Sequence, residues 1–254
     1  MATTYLEVCN EVLAELNEVL LTEANFTSAK NIQLHIKNAV NKAYFDLNNP
    51  EYCWPWLSAA SSLNDYYGNA YIDVEAGTRW YLIKTGSTDQ NSDYGQVDWE
   101  HFTLTTEGVD GETSPYTVRN LSYISIEEWK DHFAISENLD KSNSQTYGTP
   151  KRIMRNPDGR RVGMSPIPDK AYRIYFYAWE RPTKLSSYAD PVAIPDQFVS
   201  VLVSRARYYA WQRKENPQQA AIADNEYQKG LRAMREQTID AAPKAFTDDR
   251  VRFV

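Results

Sequence analysis

Both ends of the chain repeat their apolar residues at the 3.6-residue spacing of a helix, while the middle alternates at the spacing of two that a half-buried strand needs. A chain that changes period twice has to hold a sheet between two sets of helices. The clearest helical stretch is residues 194–237. Ile194-Pro195-Asp196 reads as a helix start, with Pro pre-set for the first turn and a carboxylate facing the positive end of the dipole. Phe198, Val199, Leu202, Val203, Ala206, Tyr209 and Ala210 then share one face, with Ser200, Ser204, Arg207 and Lys214 opposite. Asn216-Pro217 stops this helix and starts another, with Asn216 as N-cap and Gln219 placed to close a capping box. Ala220, Ala223, Tyr227, Leu231 and Met234 share a face rich in small residues, which predicts an antiparallel helix pair. Trp211 falls on the polar side beside Arg207. Either a loop folds over it or it contacts another protein.

At the other end, Thr4-x-x-Glu7 is a capping-box signature followed by Leu6, Cys9, Leu13, Leu16 and Leu20, so a helix is predicted over residues 4–22. Its outer face carries Glu7, Glu11, Glu15 and Glu18, which repel one another unless a basic surface faces them; a solvated face is the alternative. Ile32, Ile36, Val40, Ala43, Tyr44 and Leu47 form a second stripe, ended by Asn48-Asn49-Pro50. Cys53-Trp54-Pro55-Trp56-Leu57 is a stiff apolar plug expected to lead the chain into the sheet. Alternation then marks strands at Ile72 and Val74, at Trp80 and Leu82, at Val97 and Trp99, and at Phe102 and Leu104, with a long polar loop over residues 86–95. A short helix capped by Ser125 is predicted over 126–133, a hairpin turn at Asn156-Pro157-Asp158-Gly159, and a strand over 171–179. The expected fold class is α+β: a four-helix unit from the helical hairpins 1–57 and 183–237, an inserted antiparallel β domain over 58–182, and an extended C-terminal tail over 238–254.

With 254 residues the chain can bury a core without staples, and two cysteines exclude a disulfide framework. A net charge of −7 argues against a surface built to neutralise nucleic-acid phosphates. Neither a secretory signal nor a run of eighteen apolar residues is present, so neither secretion by a standard signal nor a membrane span is expected. The chain carries 18 Tyr and 7 Trp, a supply that suits wet interfaces, carbohydrate platforms and half-buried strands alike.

The search for chemistry is largely negative. No phosphate-cradling loop, dinucleotide fingerprint or H-E-x-x-H occurs, and His35, His101 and His132 are isolated from one another and from the cysteines. Gly163-Met164-Ser165-Pro166 lacks the second glycine of a strained nucleophile turn. Glu127, Glu128 and Asp131 are the residues an acid–base reading would recruit, but any helix surface offers such groups. Asp89, Asn91, Asp93 and Glu100 have the alternation of a calcium loop, yet Gly95 stands one place late and Tyr94 takes its position. These four form a weak metal candidate beside an ordinary polar loop. No enzyme activity and no cofactor are expected.

The order of parts resembles the head-to-tail adaptor (connector) proteins of tailed bacteriophages, including the tail tubular protein A type. The residues that carry the resemblance are Gly148-x-Pro150, Met164-x-Pro166-x-Pro168-Asp169, Tyr177, Pro182, Ile194-Pro195, Ala220-Ala221 and Tyr227, with Trp54-Pro55-Trp56-Leu57 in support. It implies a structural virion protein: a ring, typically dodecameric, that docks beneath the portal protein and presents a platform to the next tail component, a nozzle or tail tube. Genomic DNA would pass through its lumen without specific binding. The virion's head–tail junction would be its location, with assembly in the host cytoplasm and no membrane. Closed rings use two different complementary surfaces per subunit, for which Glu11, Glu15, Arg207 and Trp211 are the candidates. In the tail, Phe246, Val251, Phe253 and Val254 are apolar residues that a solvated segment has no need to carry, and Val251 and Phe253 alternate with Arg250 and Arg252. The resemblance implies that this segment reaches up between portal subunits; a tail folded back on its own subunit is the alternative. A receptor- or carbohydrate-binding tail module, stacking sugars on Trp80, Trp99 and Tyr116, is the other functional reading.

Overall fold

The computed structural model describes residues 3–59, 67–83, 94–134 and 147–238. The chain is mixed α+β, with five helices and a seven-stranded sheet among the described residues, and divides into two compact units, residues 1–57 with 182–254 and residues 58–181.

In the first unit, α1 (Tyr5–Glu15) opens on the expected capping box: Thr4 Oγ1 accepts from the Glu7 N–H at 3.3 Å while Glu7 Oε2 accepts from the Thr4 N–H at 2.7 Å. Its next free N–H groups are used as well, Tyr5 donating to the Asp190 carbonyl and Leu6 to that of Tyr188. The helix ends a turn and more before the predicted Thr22. Asn17 takes the left-handed conformation (φ 54°), and the Glu18 N–H closes back on the Leu13 carbonyl at 2.9 Å, the pairing that terminates a helix at Asn or Gly. The leucine stripe therefore runs off the helix: Leu16 and Leu21 are buried, while Leu20 is 49 % exposed.

Helix α2 (Asn31–Leu47) buries Ile36, Ala39, Val40, Asn41, Ala43, Tyr44 and Leu47. The aromatic plug that follows folds back onto the end of this helix. Trp54 Nε1 donates to the Leu47 carbonyl at 2.7 Å and Trp56 Nε1 to Asn48 Oδ1 at 2.9 Å, with the two indoles stacked 4.9 Å apart. Thus the carbonyl and side chain left over at the helix end find donors on apolar bodies that also fill the core.

One 3-10 turn (Asp196–Phe198) leads into α4 (Val199–Arg213), and Asn216 caps α5 (Pro217–Thr238) through the Gln219 N–H at 3.2 Å. The Asn216 N–H goes to the Trp211 carbonyl at 3.1 Å, so half of the expected capping box is replaced by the closure of α4. The buried residues of α5 are the predicted five, Ala220, Ala223, Tyr227, Leu231 and Met234. Gly230 lies so close to Val201 that a Cβ would stand 2.8 Å from its Cγ2, while Arg205 bonds Asp224; the two helices therefore run antiparallel. Helix α4 packs on α2 and α5, and α1 packs on α2 and α4.

The second unit is built on strands β1 (Ala70–Val74), β2 (Trp80–Leu82), β3 (Gln96–Thr105), β4 (Val118–Ile124), β5 (Arg152–Arg155), β6 (Arg161–Ser165) and β7 (Tyr172–Trp179), in the order β1-β7-β3-β4-β5-β6-β2. The apolar phase of β3 changes between Trp99 and Phe102 because the register against β7 breaks there, Val97 facing Ala178 and Phe102 facing Phe176. Turn residues Asn156 to Gly159 join β5 and β6, with Gly159 at φ 72° as a turn of this kind requires.

The inserted sheet is mixed rather than wholly antiparallel. Strand β4 pairs with β3 through Val118–Leu121 and then in parallel with β5 through Ser122–Ile124. A parallel neighbour needs a connection that carries the chain back to the strand's starting end, and here it includes α3 (Ile126–His132), capped by Ser125 Oγ at 3.1 Å from the Glu128 N–H. Leu82, expected to face inward, is 36 % exposed, and its neighbour Ile83 is buried instead. Phe102, Leu104, Leu121, Ile153, Val162, Met164, Ile174 and Phe176 form one core from strands on both sides of β4.

Candidate functional site

The residues proposed for an interface come together in the helical unit. Glu11 and Glu15 lie one turn apart on α1, and Arg207 and Trp211 one turn apart on α4. The Arg207 guanidinium bridges two helices: its Nε meets Glu15 Oε2 as an ion pair, and its Nη1 donates to Glu226 Oε2 at 2.9 Å. Burial pushes the Glu15 carboxyl above the ordinary carboxylate value, and Glu11 and Glu226 add to that push against the opposing Arg207. Two carboxylates thus share one guanidinium, while Glu11 acts on Glu15 from the same helix. Trp211 is half-buried; its indole Nε1 is shielded and has no acceptor among the described residues, while Lys214 Nζ stands 5.7 Å from the ring and pairs with Glu18 at 2.6 Å. A buried N–H without a partner is uncommon in a finished surface.

Sequence reasoning missed the second charged centre, two residues back on α4. Arg205 Nε donates to Asp46 Oδ2 on α2 at 2.9 Å and its Nη1 to Asp224 Oδ1 on α5 at 2.9 Å, with the rings of Tyr208, Tyr209 and Tyr227 each about 4.9 Å or less from the guanidinium carbon. The Tyr209 hydroxyl also donates to Asp46. Two residues along a helix is roughly 200° of rotation, so Arg205 with Asp224 and Arg207 with Glu226 flank the α4–α5 seam on its two sides. The matching Arg-x-Arg and Asp-x-Glu spacings were the available signal. Near the turn between these helices, Tyr208, Pro217, Ala220, Ala221 and Asp224 line an open groove of about 580 Å³.

Other candidates are dispersed. His35 lies on α2, His101 on β3, where its Nδ1 is 2.7 Å from Asp98 Oδ2, and His132 on α3. Glu127, Glu128 and Asp131 are exposed on α3. Of the calcium-like set, Glu100 is exposed on β3, while Asp89, Asn91 and Asp93 lie outside the described residues, as do Phe246, Arg250, Val251, Arg252, Phe253 and Val254 of the tail. Trp80 packs over Gly163 and beside the Trp129 cluster, and Trp99 stacks on Phe102 at 5.7 Å, so both serve cores rather than an open platform; Tyr116 is 41 % exposed. Among the described residues no helix is long and apolar enough to cross a membrane.

A family model for the SU10 adaptor protein matches residues 3–252, nearly the whole chain and both of its units. The chain belongs to the SU10 adaptor protein family. No curated protein matches it. Membership gives the chain a structural adaptor role in a phage particle, in contact with other head and tail components and located in the virion. In an SU10 adaptor, an arrangement of paired helices, cross-helix ion pairs and dispersed titratable groups has the chemistry of assembly surfaces.

Proposed function

We propose that this chain is the head-to-tail adaptor of the tail tubular protein A type: a closed ring, typically of twelve copies, that joins the portal protein to the next tail component, a nozzle or tail tube, and continues the DNA channel. The observation that carries this reading is the reach of the family match, which runs from Thr3 to Arg252 and so takes in the C-terminal tail as well as both units. The helical hairpins form the four-helix platform of the subunit, and residues 238–254 dock on the portal through Phe246, Val251, Phe253 and Val254, flanked by Arg250 and Arg252. Glu11, Glu15, Arg207 and Trp211 contribute one of the two unlike surfaces that a closed ring requires. Genomic DNA passes the lumen without specific binding, and assembly takes place in the host cytoplasm.

Electron microscopy of the protein mixed with its candidate portal tests this: the full chain is expected to add a ring beneath the portal, and a chain ending at Gln237 to stay folded without adding one. No ring with the full chain sinks the adaptor reading, and docking of the shortened chain with unchanged affinity sinks the role of the tail. Trp211→Ala is expected to weaken assembly in sedimentation experiments while moving the melting temperature of the isolated subunit little. A sharp fall in that temperature would make Trp211 a core residue and not an interface one.

A further inference from the structure

The β5–β6 hairpin is a basic element in an acidic setting. Lys151, Arg152, Arg155, Arg160 and Arg161 stand on it against a single Asp158, whereas in the rest of residues 58–181 acidic side chains outnumber basic ones. At the hairpin turn, Arg155, Arg160 and Arg181 line a small pocket of about 190 Å³ with Asp158, Gly159 and Tyr94.

The three guanidinium groups are not equivalent. Arg155 is held in place: its guanidinium carbon lies 5.4 Å from the Trp99 ring centre, and its Nη2 occupies the space above Gly159, 3.0 Å from where a Cβ would stand. Asp158 is already committed, accepting from the Arg160 N–H at 2.9 Å and facing Arg161 Nε at 3.7 Å. Neither Arg155 nor Arg181 forms an ion pair among the described residues. Two guanidinium groups with no ion-pair partner among the described residues therefore border a concave site, one of them pre-positioned by an aromatic face and a glycine turn. Planar guanidinium forks of this kind match a planar oxyanion.

We propose that this pocket is a carboxylate-binding site that takes an Asp or Glu side chain from an acidic segment of a protein partner. Its volume is below that of a pocket for a whole small-molecule ligand and suits a single group on a short stem. A nucleic-acid backbone would call for cations strung along a track; here they are gathered at one turn. The inference concerns a partner contact and does not depend on ring formation, because it is read on the single chain.

Calorimetric titration of the full chain at low ionic strength tests it, with an acetylated peptide of alternating Glu and Asp as the probe. Binding is expected, and Arg155→Gln and Arg181→Gln are each expected to weaken it by roughly tenfold or more, as loss of a charge-assisted hydrogen bond does, with unchanged unfolding midpoints. Arg119→Gln, exposed on β4 away from the turn, should leave the affinity as it was. Equal binding by the Arg155→Gln/Arg181→Gln double variant overturns the proposal, as does an equal loss in Arg119→Gln, which would mean diffuse charge. A DNA duplex that binds more tightly than the peptide and is lost in the double variant would make phosphate the occupant and overturn it too.

Discussion

Asn10, Asn41 and Asn69 each spend both ends of the side-chain amide on the backbone of one distant residue: Asn10 on Leu21, Asn41 on Leu185, Asn69 on Ala178. An amide can do this because it carries a donor and an acceptor with the spacing of a peptide group. Asn41 is the most consequential, being buried on α2 and bonded to the Tyr5 hydroxyl at 2.7 Å as well. Asn41→Ala would strand the Leu185 N–H and C=O and leave a cavity, so a loss of about 3 kcal/mol is expected in denaturant unfolding, against about 1 kcal/mol for Tyr5→Phe. A charged counterpart lies in the same unit. The N–H groups of Ser186 and Ser187 hold the Asp190 carboxyl below its ordinary value of 3.8. A depressed carboxyl contributes stability that is present above its unfolded value and lost as pH falls through the folded one. The destabilisation of Asp190→Asn relative to wild type should therefore be full at pH 7 and shrink below pH 3.8 in thermal melts. A deficit independent of pH would show that the hydrogen-bond geometry matters and the charge does not. None of these polar roles was legible in the sequence, because Asn41 sits within an apolar stripe whose period says only which face is buried. The backbone group that Asn41 clasps, that of Leu185, lies 144 positions away.

At the scale of elements, the sequence is read best where the deciding chemistry is local. The Thr4–Glu7 capping box, the Asn216 and Ser125 caps, the Asn156–Gly159 turn and the buried set of α5 all lie where residues a few positions apart settle them. The end of α1 was missed because the leucine stripe continues past Asn17, and only the backbone shows that the asparagine turns left-handed. Strand direction was missed for a different reason: alternation reports which face is buried and is blind to whether a neighbour runs parallel, so the β4–β5 pair could not be seen. Likewise Glu15 and Arg207 were named as surface groups, but their bond to each other depends on the register between α1 and α4. The α4–α5 seam offers a test of packing over propensity. In an open helix Gly→Ala stabilises by roughly 1 kcal/mol, yet at Gly230 the new Cβ would meet Val201 Cγ2 at 2.8 Å, and a β-branched side chain has little freedom to retreat. Gly230→Ala is therefore expected to destabilise by about 1–2 kcal/mol. Adding Val201→Ala should recover part of that loss, giving a coupling of at least about 0.5 kcal/mol in a double-mutant cycle. Additive single effects would mean that the helices separate freely at this point.

For the whole molecule, the decisive feature is how residues 58–181 join the rest of the chain. Their two ends are tied to each other: Ser58 bridges Trp179, the Ala59 N–H donates to the Ala178 carbonyl at 3.0 Å, and the Asn69 amide clasps the same residue. Ends that leave as neighbouring antiparallel strands are about 5 Å apart, a gap that a few flexible residues can span. Among the described residues, the hydrophobic clusters of this unit run from Ala59 to Ala178 in the larger and through Ile124, Trp129 and Met154 in the smaller. A unit with its own core and adjoining ends meets the conditions for folding alone. Residues 58–181 expressed by themselves are accordingly expected to give a cooperative melting transition in calorimetry and dispersed amide signals in NMR. The remaining chain, closed by a short Gly-Ser link between Leu57 and Pro182, should keep its helical circular dichroism, since α1 and α2 pack on α4, and α4 on α5, without the insertion. A collapsed fragment without a melting transition, beside a full chain that unfolds in a single step, would show that each unit needs the other to fold.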